Sequence, residues 1–182
     1  MKYNKNDIVY TPRSISSAIV KHFAPAGICL DPCRGDGAFY DYLPNGALWC
    51  EVQNGVDFYD FIGKVDWIIS NPPFSDYDNF LEKAFSVSSN VVYLIPLYKT
   101  FKSKKQQDMV DKYGGLAEVL VIGSGSKCGF NMGFLCGCVH YKKGYKGNTK
   151  IGALETAEGR GTAYNSAMPG EAPQICEAQT SA

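Results

Sequence analysis

The sequence predicts an α/β domain whose sheet is mostly parallel and closes with an antiparallel final strand. Three observations carry that expectation. Apolar runs of strand length alternate with helix-like segments through the first half of the chain, Gly and Pro cluster where those runs end, and the last two apolar runs follow each other with only a glycine-rich loop between them.

At 182 residues the chain suits one domain with a real core. Lys plus Arg and Asp plus Glu both number 18, so the formal charge is zero and no global field draws the chain to nucleic acid. Any such binding must use a local patch. No stretch reaches the apolar length of a membrane span, and the polar start Met1-Lys2-Tyr3-Asn4-Lys5 lacks the apolar core of a secretion signal. The expectation is a cytoplasmic protein with no membrane partner. Seven cysteines without a Cys-x-x-Cys fit reduced thiols better than a disulfide framework. Cys136, Cys138 and His140 alternate along an expected strand and so share one face, a spacing that half-buried packing explains without a metal.

Taking the elements in order, Ile8 to Ser14 ends an extended piece and opens a helix, with Ser14 as N-cap and Ile15, Ala18, Ile19 and Phe23 at helical spacing until Pro25 and Gly27. Thr11 and Pro12 then sit at a helix mouth, where unpaired N–H groups attract anions; taken alone, simple capping is the favoured reading. Ile28-Cys29-Leu30 is a short strand running into Asp31-Pro32-Cys33-Arg34-Gly35-Asp36-Gly37. Gly35 and Gly37 allow a tight turn and close backbone approach to a ligand, and residues 38–43 can form a short helix after it. A second strand, 47–50, ends in Glu51, about twenty residues beyond Asp31, the spacing at which an acid reaches the ribose of nucleotide-like cofactors. Asp57 and Phe58 follow, an acceptor beside an aromatic that can read and stack an adenine ring.

The run 65–70 is rich in Ile and Trp and closes on Asn71-Pro72-Pro73-Phe74, so this tetrapeptide lies at a strand's carboxyl end, where open α/β sheets bind ligands. Two prolines make a stiff loop without N–H groups, and a residue before proline is held extended. The Asn71 side-chain oxygen and the Pro72 carbonyl are then free acceptors, with Phe74 a flat apolar face beside them. That set suits a planar ring bearing an exocyclic amine: acceptors on both amine hydrogens draw the nitrogen lone pair out of conjugation. The plain structural alternative is a strand-ending Asn-Pro turn with a core phenylalanine.

Residues 77–87 read as an amphipathic helix and 90–97 as the strongest buried strand. Lys99, Lys102, Lys104 and Lys105 crowd together with Tyr98 and Phe101, either as a solvated face or as a nucleic-acid contact. Strands at 117–122 and 133–141 are joined by a glycine-rich loop carrying Phe130, expected to be exposed on a flap or a plain long hairpin. Residues 147–182 hold hardly any large apolar side chain and cannot offset the entropy of ordering, which predicts a folded domain over 1–146 and a disordered low-complexity tail over 147–182.

Thr-Pro at a helix mouth, Asp-Pro-Cys-x-Gly-x-Gly, an acid about twenty residues on, Asp-Phe and Asn-Pro-Pro-Phe occur in one order over residues 8–141. This resembles the S-adenosylmethionine-dependent adenine-N6 methyltransferases. The resemblance implies a Rossmann-like, seven-stranded sheet, mostly parallel with a reversed final strand. It implies S-adenosylmethionine as cofactor, with Thr11 and Pro12 near its methionine end, Asp31, Cys33, Gly35 and Gly37 as its cradle, Glu51 on the ribose, and Asp57 with Phe58 on the adenine. Asn71, Pro72 and Pro73 would form the catalytic loop, with Phe74 stacked on the target base. Lys99, Lys102, Lys104, Lys105 and Phe130 would then contact nucleic acid, DNA ahead of RNA. DNA-modifying members commonly carry a separate target-recognition domain, and nothing of that size follows Tyr141. Specificity would come from short loops or a protein partner, or the substrate is not duplex DNA. Related enzymes that methylate a protein glutamine use a similar Asn-Pro-Pro-aromatic motif, so RNA and protein remain as alternative substrates. A catalytically silent cofactor-binding subunit is the alternative of another class.

Overall fold

The computed structural model describes residues 8–130 and 133–155. Among them are strands β1 Cys29–Asp31, β2 Leu48–Trp49, β3 Val65–Ser70, β4 Ser88–Pro96, β5 Gly114–Ser124, β6 Leu135–Lys143 and β7 Lys150–Ala153, with helices α1 Arg13–Phe23, α2 Tyr77–Val87 and α3 Lys104–Tyr113. The strands form one sheet in the order β2-β1-β3-β4-β6-β5-β7. The β2, β1, β3 and β4 neighbours are all parallel, as Leu30 opposite Leu48 and Ser70 opposite Tyr93 illustrate. Strand β6 runs antiparallel to both β4 and β5. The expected α/β class and mostly parallel sheet are therefore found, and no helix among the described residues is long and apolar enough to cross a membrane.

Two features of the sheet differ from expectation. The reversed strand β6 is interior, and the final strand is β7, which pairs parallel with β5 from Glu118 opposite Lys150 to Val121 opposite Ala153. The boundary expected at residue 146 thus falls short of the sheet edge; residues 156–182 of the expected tail lie outside the described residues. Strand β7 escapes a hydrophobicity reading because all four of its residues are exposed, and an edge strand is held through its backbone ladder.

Strand alternation divides the core between the two sheet faces. On one face Ile68, Val91, Tyr93, Val139 and Tyr141 pack against Phe80, Leu81 and Ala84 of α2 and Val110 of α3. On the other, Ile69, Val92, Leu94, Cys136 and Cys138 pack against Ile15, Ile19 and Val20 of α1. Helix α2 has the bounds expected from its spacing. Helix α1 begins two residues earlier than a Ser14 cap would give, because the Pro12 carbonyl already accepts the amides of Ile15 at 2.9 Å and Ser16 at 3.2 Å. The helix expected over 38–43 is a single tight turn, Tyr40–Tyr42, since Leu43 must be extended ahead of Pro44.

Parallel strands end on the same side, so β1, β2, β3 and β4 deliver Asp31, Glu51, Asn71 and the segment Leu97–Phe101 to one edge. Antiparallel β6 starts there and β5 ends there, which brings the loop between them to the same place. That shared edge holds the candidate site.

Candidate active site

Asp31 ends β1 and is almost fully buried. Its Oδ1 accepts a hydrogen bond from Ser70 Oγ at 2.7 Å and from the Cys33 amide at 3.3 Å. Its Oδ2 is buried with no hydrogen-bond partner among the described residues. Burial pushes the carboxyl up to about 7, against the Ser70 and Cys33 hydrogen bonds that favour the ionised form. The Cys33 thiol is pushed well up, by burial first and by the Asp31 charge second, which makes it an inert thiol.

Glu51 lies just beyond β2, also buried. Its Oε2 accepts from the Gly35 amide at 2.8 Å and its Oε1 from the Gln53 amide at 3.0 Å. The acid expected on a ribose thus grips the glycine turn. Gly35 itself has φ +52°, and a Cβ there would meet nothing nearer than the Tyr10 ring at 3.9 Å. The turn is left-handed and open on its outer side, which only glycine combines with close approach. Gly37 is buried, and its carbonyl accepts from the Asp41 amide and from Arg13 of α1. Arg34 lies between the rings of Tyr40 and Trp49, at 5.0 and 5.1 Å from their centroids.

Asp57 caps a short turn by accepting from the Tyr59 amide at 3.0 Å. Phe58 differs from expectation: it is 2% exposed and packs on Phe80 at 4.7 Å, so its ring belongs to the core and presents no open face for a ligand to stack on. An aromatic one residue past an acid at a strand edge satisfies the core as well as it would a ligand.

The Asn71 side chain is held by the amino-terminal segment. Its amide nitrogen donates to the Val9 carbonyl at 3.4 Å and to Thr11 Oγ1 at 3.2 Å. A backbone carbonyl only accepts, so the amide orientation is fixed and Oδ1 is the group left to act as acceptor. Thr11, buried, therefore serves Asn71, while Pro12 caps α1. Pro72 is buried, Pro73 and Phe74 are half-buried, and the loop passes directly into the turn Phe74–Asp76 ahead of α2. Ser70 was not singled out from sequence. The signal was its place, the last residue of β3 beside β1 in a parallel register, where a hydroxyl can reach the neighbouring strand's terminal acid.

Phe130, expected to be exposed on a flap, is 4% exposed. Its ring lies 5.1 Å from Phe74 and 5.5 Å from Phe134. The loop is pinned there because Gly129, at φ +87°, runs so close to the amino-terminal segment that a Cβ would meet the Tyr10 carbonyl at 2.4 Å. Phe130 backs the candidate catalytic ring. The four lysines are also more engaged than expected. Lys99 Nζ donates to the Phe74 carbonyl at 3.1 Å, Lys102 pairs with Asp78 at 2.9 Å and Lys104 with Asp108 at 2.7 Å, leaving Lys105 as the exposed one without a carboxylate partner among the described residues. Helical spacing of Lys104 and Asp108 made one such pair legible in advance.

Away from this edge, His140 is stacked on Trp67 at 5.3 Å and hydrogen-bonded to Asn90 at 3.1 Å, and burial lowers its pKa to about 4. None of the six described cysteines is in a disulfide, and no group of three or more His, Cys, Asp or Glu side chains that could hold a metal occurs among the described residues.

No protein-family model and no curated protein sequence matches the chain. Solved structures do share its fold. A proposed class I S-adenosylmethionine-dependent methyltransferase from Listeria monocytogenes superposes with a TM-score of 0.63 at 13% identity, over 86% of this chain and 69% of that one. A proposed RNA methyltransferase from Pyrococcus horikoshii gives 0.56 at 20% identity, over 78% and 90%. The M protein of the type I restriction enzyme EcoKI gives 0.58 at 13% identity, over 74% of this chain and only 44% of that protein. At these identities the likeness is one of fold.

Proposed function

We propose that the chain is an S-adenosylmethionine-dependent methyltransferase acting on the N6 amine of adenine in DNA. The observation that carries the reading is the Asn71 amide, anchored through its nitrogen by Val9 and Thr11 so that its oxygen is kept as an acceptor at the end of β3.

The residues present fit the cofactor. Asp31 offers a buried, unpartnered Oδ2 at the strand edge, and the Gly35 turn is open to close approach. Asp31, Gly35 and Asp57 would hold it directly, with Glu51 acting through the Gly35 amide. When bound, S-adenosylmethionine supplies a methyl group on a positively charged sulfur. The chain's own task is to prepare the nucleophile. Asn71 Oδ1, with the Pro72 carbonyl, would accept the amine hydrogens and localise the nitrogen lone pair. Phe74 would stack on the base, and Lys99 with Phe130 would hold Phe74 in place. A base inside a duplex must first be flipped out at a cost of about a few kcal/mol, of which stacking can return about 1–3 kcal/mol.

RNA adenine and a protein glutamine amide present the same hydrogens to Asn71, and the Pyrococcus horikoshii structure is described for RNA, so both belong in the test. Asn71→Ala should lower kcat by roughly 100-fold or more while cofactor affinity is largely kept, because the acceptor is used mainly as the amine becomes tetrahedral. Normal turnover of Asn71→Ala on every substrate tried would remove the residue from the chemistry.

A further inference from the structure

From the candidate catalytic ring a row of aromatic side chains runs outward to the surface, and its outer members take no part in the proposed reaction. Four rings follow one another outward: Phe74 to Phe130 at 5.1 Å, Phe130 to Phe134 at 5.5 Å, and Phe134 to Tyr98 at 6.3 Å. The chain begins half-buried and ends in the open, with Tyr98 62%, Phe101 66% and Leu135 52% exposed. Tyr98 and Phe101 belong to the turn Leu97–Phe101 that follows β4, and Leu135 opens β6 next to it, so all three sit at the sheet edge that holds Asn71. Lys99 joins strip to site, since its Nζ lies over the Tyr98 ring at 5.7 Å and bonds the Phe74 carbonyl.

The two segments that carry these exposed rings hold lysines and no acidic residue. None of residues 97–107 is acidic, and none of residues 119–154 is. The neighbouring Asp78 and Asp108 are each paired with a lysine. Lys105 and Lys127 are exposed, the latter on the turn Gly125–Cys128 whose Gly125 amide donates to the Phe134 carbonyl. Exposed rings interleaved with uncompensated lysines fit a polyanion that bears flat apolar faces. A duplex does not offer these faces, because its bases already stack on one another.

Resting on the methyl-transfer reading above, we propose that Tyr98 and Phe101 form a stacking platform for unpaired nucleotides of a DNA strand flanking the target adenine. Lys105 and Lys127 would contact the strand's phosphates.

Fluorescence anisotropy with a labelled oligothymidine strand tests this without any methylation, because the probe holds no adenine. The full chain should bind it more tightly than a duplex of equal length. Tyr98→Ala/Phe101→Ala should weaken the single strand roughly 10-fold or more with an unchanged salt slope, since each lost stack costs affinity without charge. Lys105→Gln should instead flatten the plot of log affinity against log salt by about 0.7. An unchanged melting temperature shows that the surface variant is folded. The platform is overturned if the double variant binds the strand like wild type, if duplex binding falls as much as single-strand binding, or if the wild-type chain binds neither. Methyl transfer to a protein with oligothymidine binding intact would sink the adenine reading and leave the platform standing.

Discussion

The Ser70 hydroxyl donates to Asp31 Oδ1 across 2.7 Å, joining the ends of neighbouring parallel strands β3 and β1 in a fully buried hydrogen bond. Ser70 is followed directly by Asn71, so the acid of the proposed cofactor cradle and the proposed acceptor for the target amine are braced against each other through one side chain. The partner oxygen, Oδ2, is left without a bond among the described residues. A buried carboxyl so placed costs stability, which the chain tolerates where a ligand completes the set.

That cost has a pH signature. Burial raises the Asp31 carboxyl from the ordinary carboxylate value of 3.8 to about 7, so between these values the folded chain keeps a proton that the unfolded chain has released. The associated stability is present at low pH and is lost as pH rises through about 7. Asp31→Asn, which retains an oxygen for Ser70, should remove this dependence and be more stable than wild type at about pH 8, with weakened cofactor binding. Urea denaturation at about pH 5 and about pH 8 measures it; a variant that merely parallels wild type at both would show that Asp31 does not titrate in this window.

Glu51 should act on affinity and stability together. Glu51→Ala removes the acceptor for the Gly35 and Gln53 amides, so the glycine turn loses its brace. We expect S-adenosylmethionine or its demethylated product to bind about 1–3 kcal/mol more weakly by calorimetry, with a lowered melting temperature. Wild-type affinity and melting in Glu51→Ala would contradict the bracing role.

Strand β7 makes the edge of the sheet testable. A chain ending at Lys146 lacks Lys150–Ala153 and uncovers the β5 edge at Glu118 to Val121, whereas a chain ending at Glu155 keeps it. The shorter chain should melt lower and self-associate more, as unpaired strand edges do. Equal melting and equal monodispersity by light scattering would mean that β7 adds nothing to the fold.

Much of the fold was legible because local pattern and tertiary role coincide. The apolar rows of α2 and the Ile-rich run of β3 are buried as their periods imply, and Asp31, Glu51 and Asn71 reach one edge because parallel strands end together. What escaped the sequence depended on partners distant along the chain. Phe130 reads as an exposed loop aromatic until Phe74 and Phe134 close on it. Lys102 reads as a free cation until Asp78 is folded beside it. Phe58 beside Asp57 satisfies a ligand motif and a core position equally, and only Phe80 decides between them. Ser70 and the Val9 carbonyl, which set the site's geometry, carry no motif at all.

The most direct test follows a labelled methyl group. Wild-type chain and Asn71→Ala are incubated with labelled S-adenosylmethionine and, in separate reactions, duplex DNA, single-stranded DNA, RNA and a protein lysate, and each product is digested and resolved. The proposed activity predicts label on the N6 nitrogen of DNA adenine with wild type and its near-complete loss with Asn71→Ala. Label recovered only on RNA or on protein glutamine, or equal labelling by the two proteins, would contradict it.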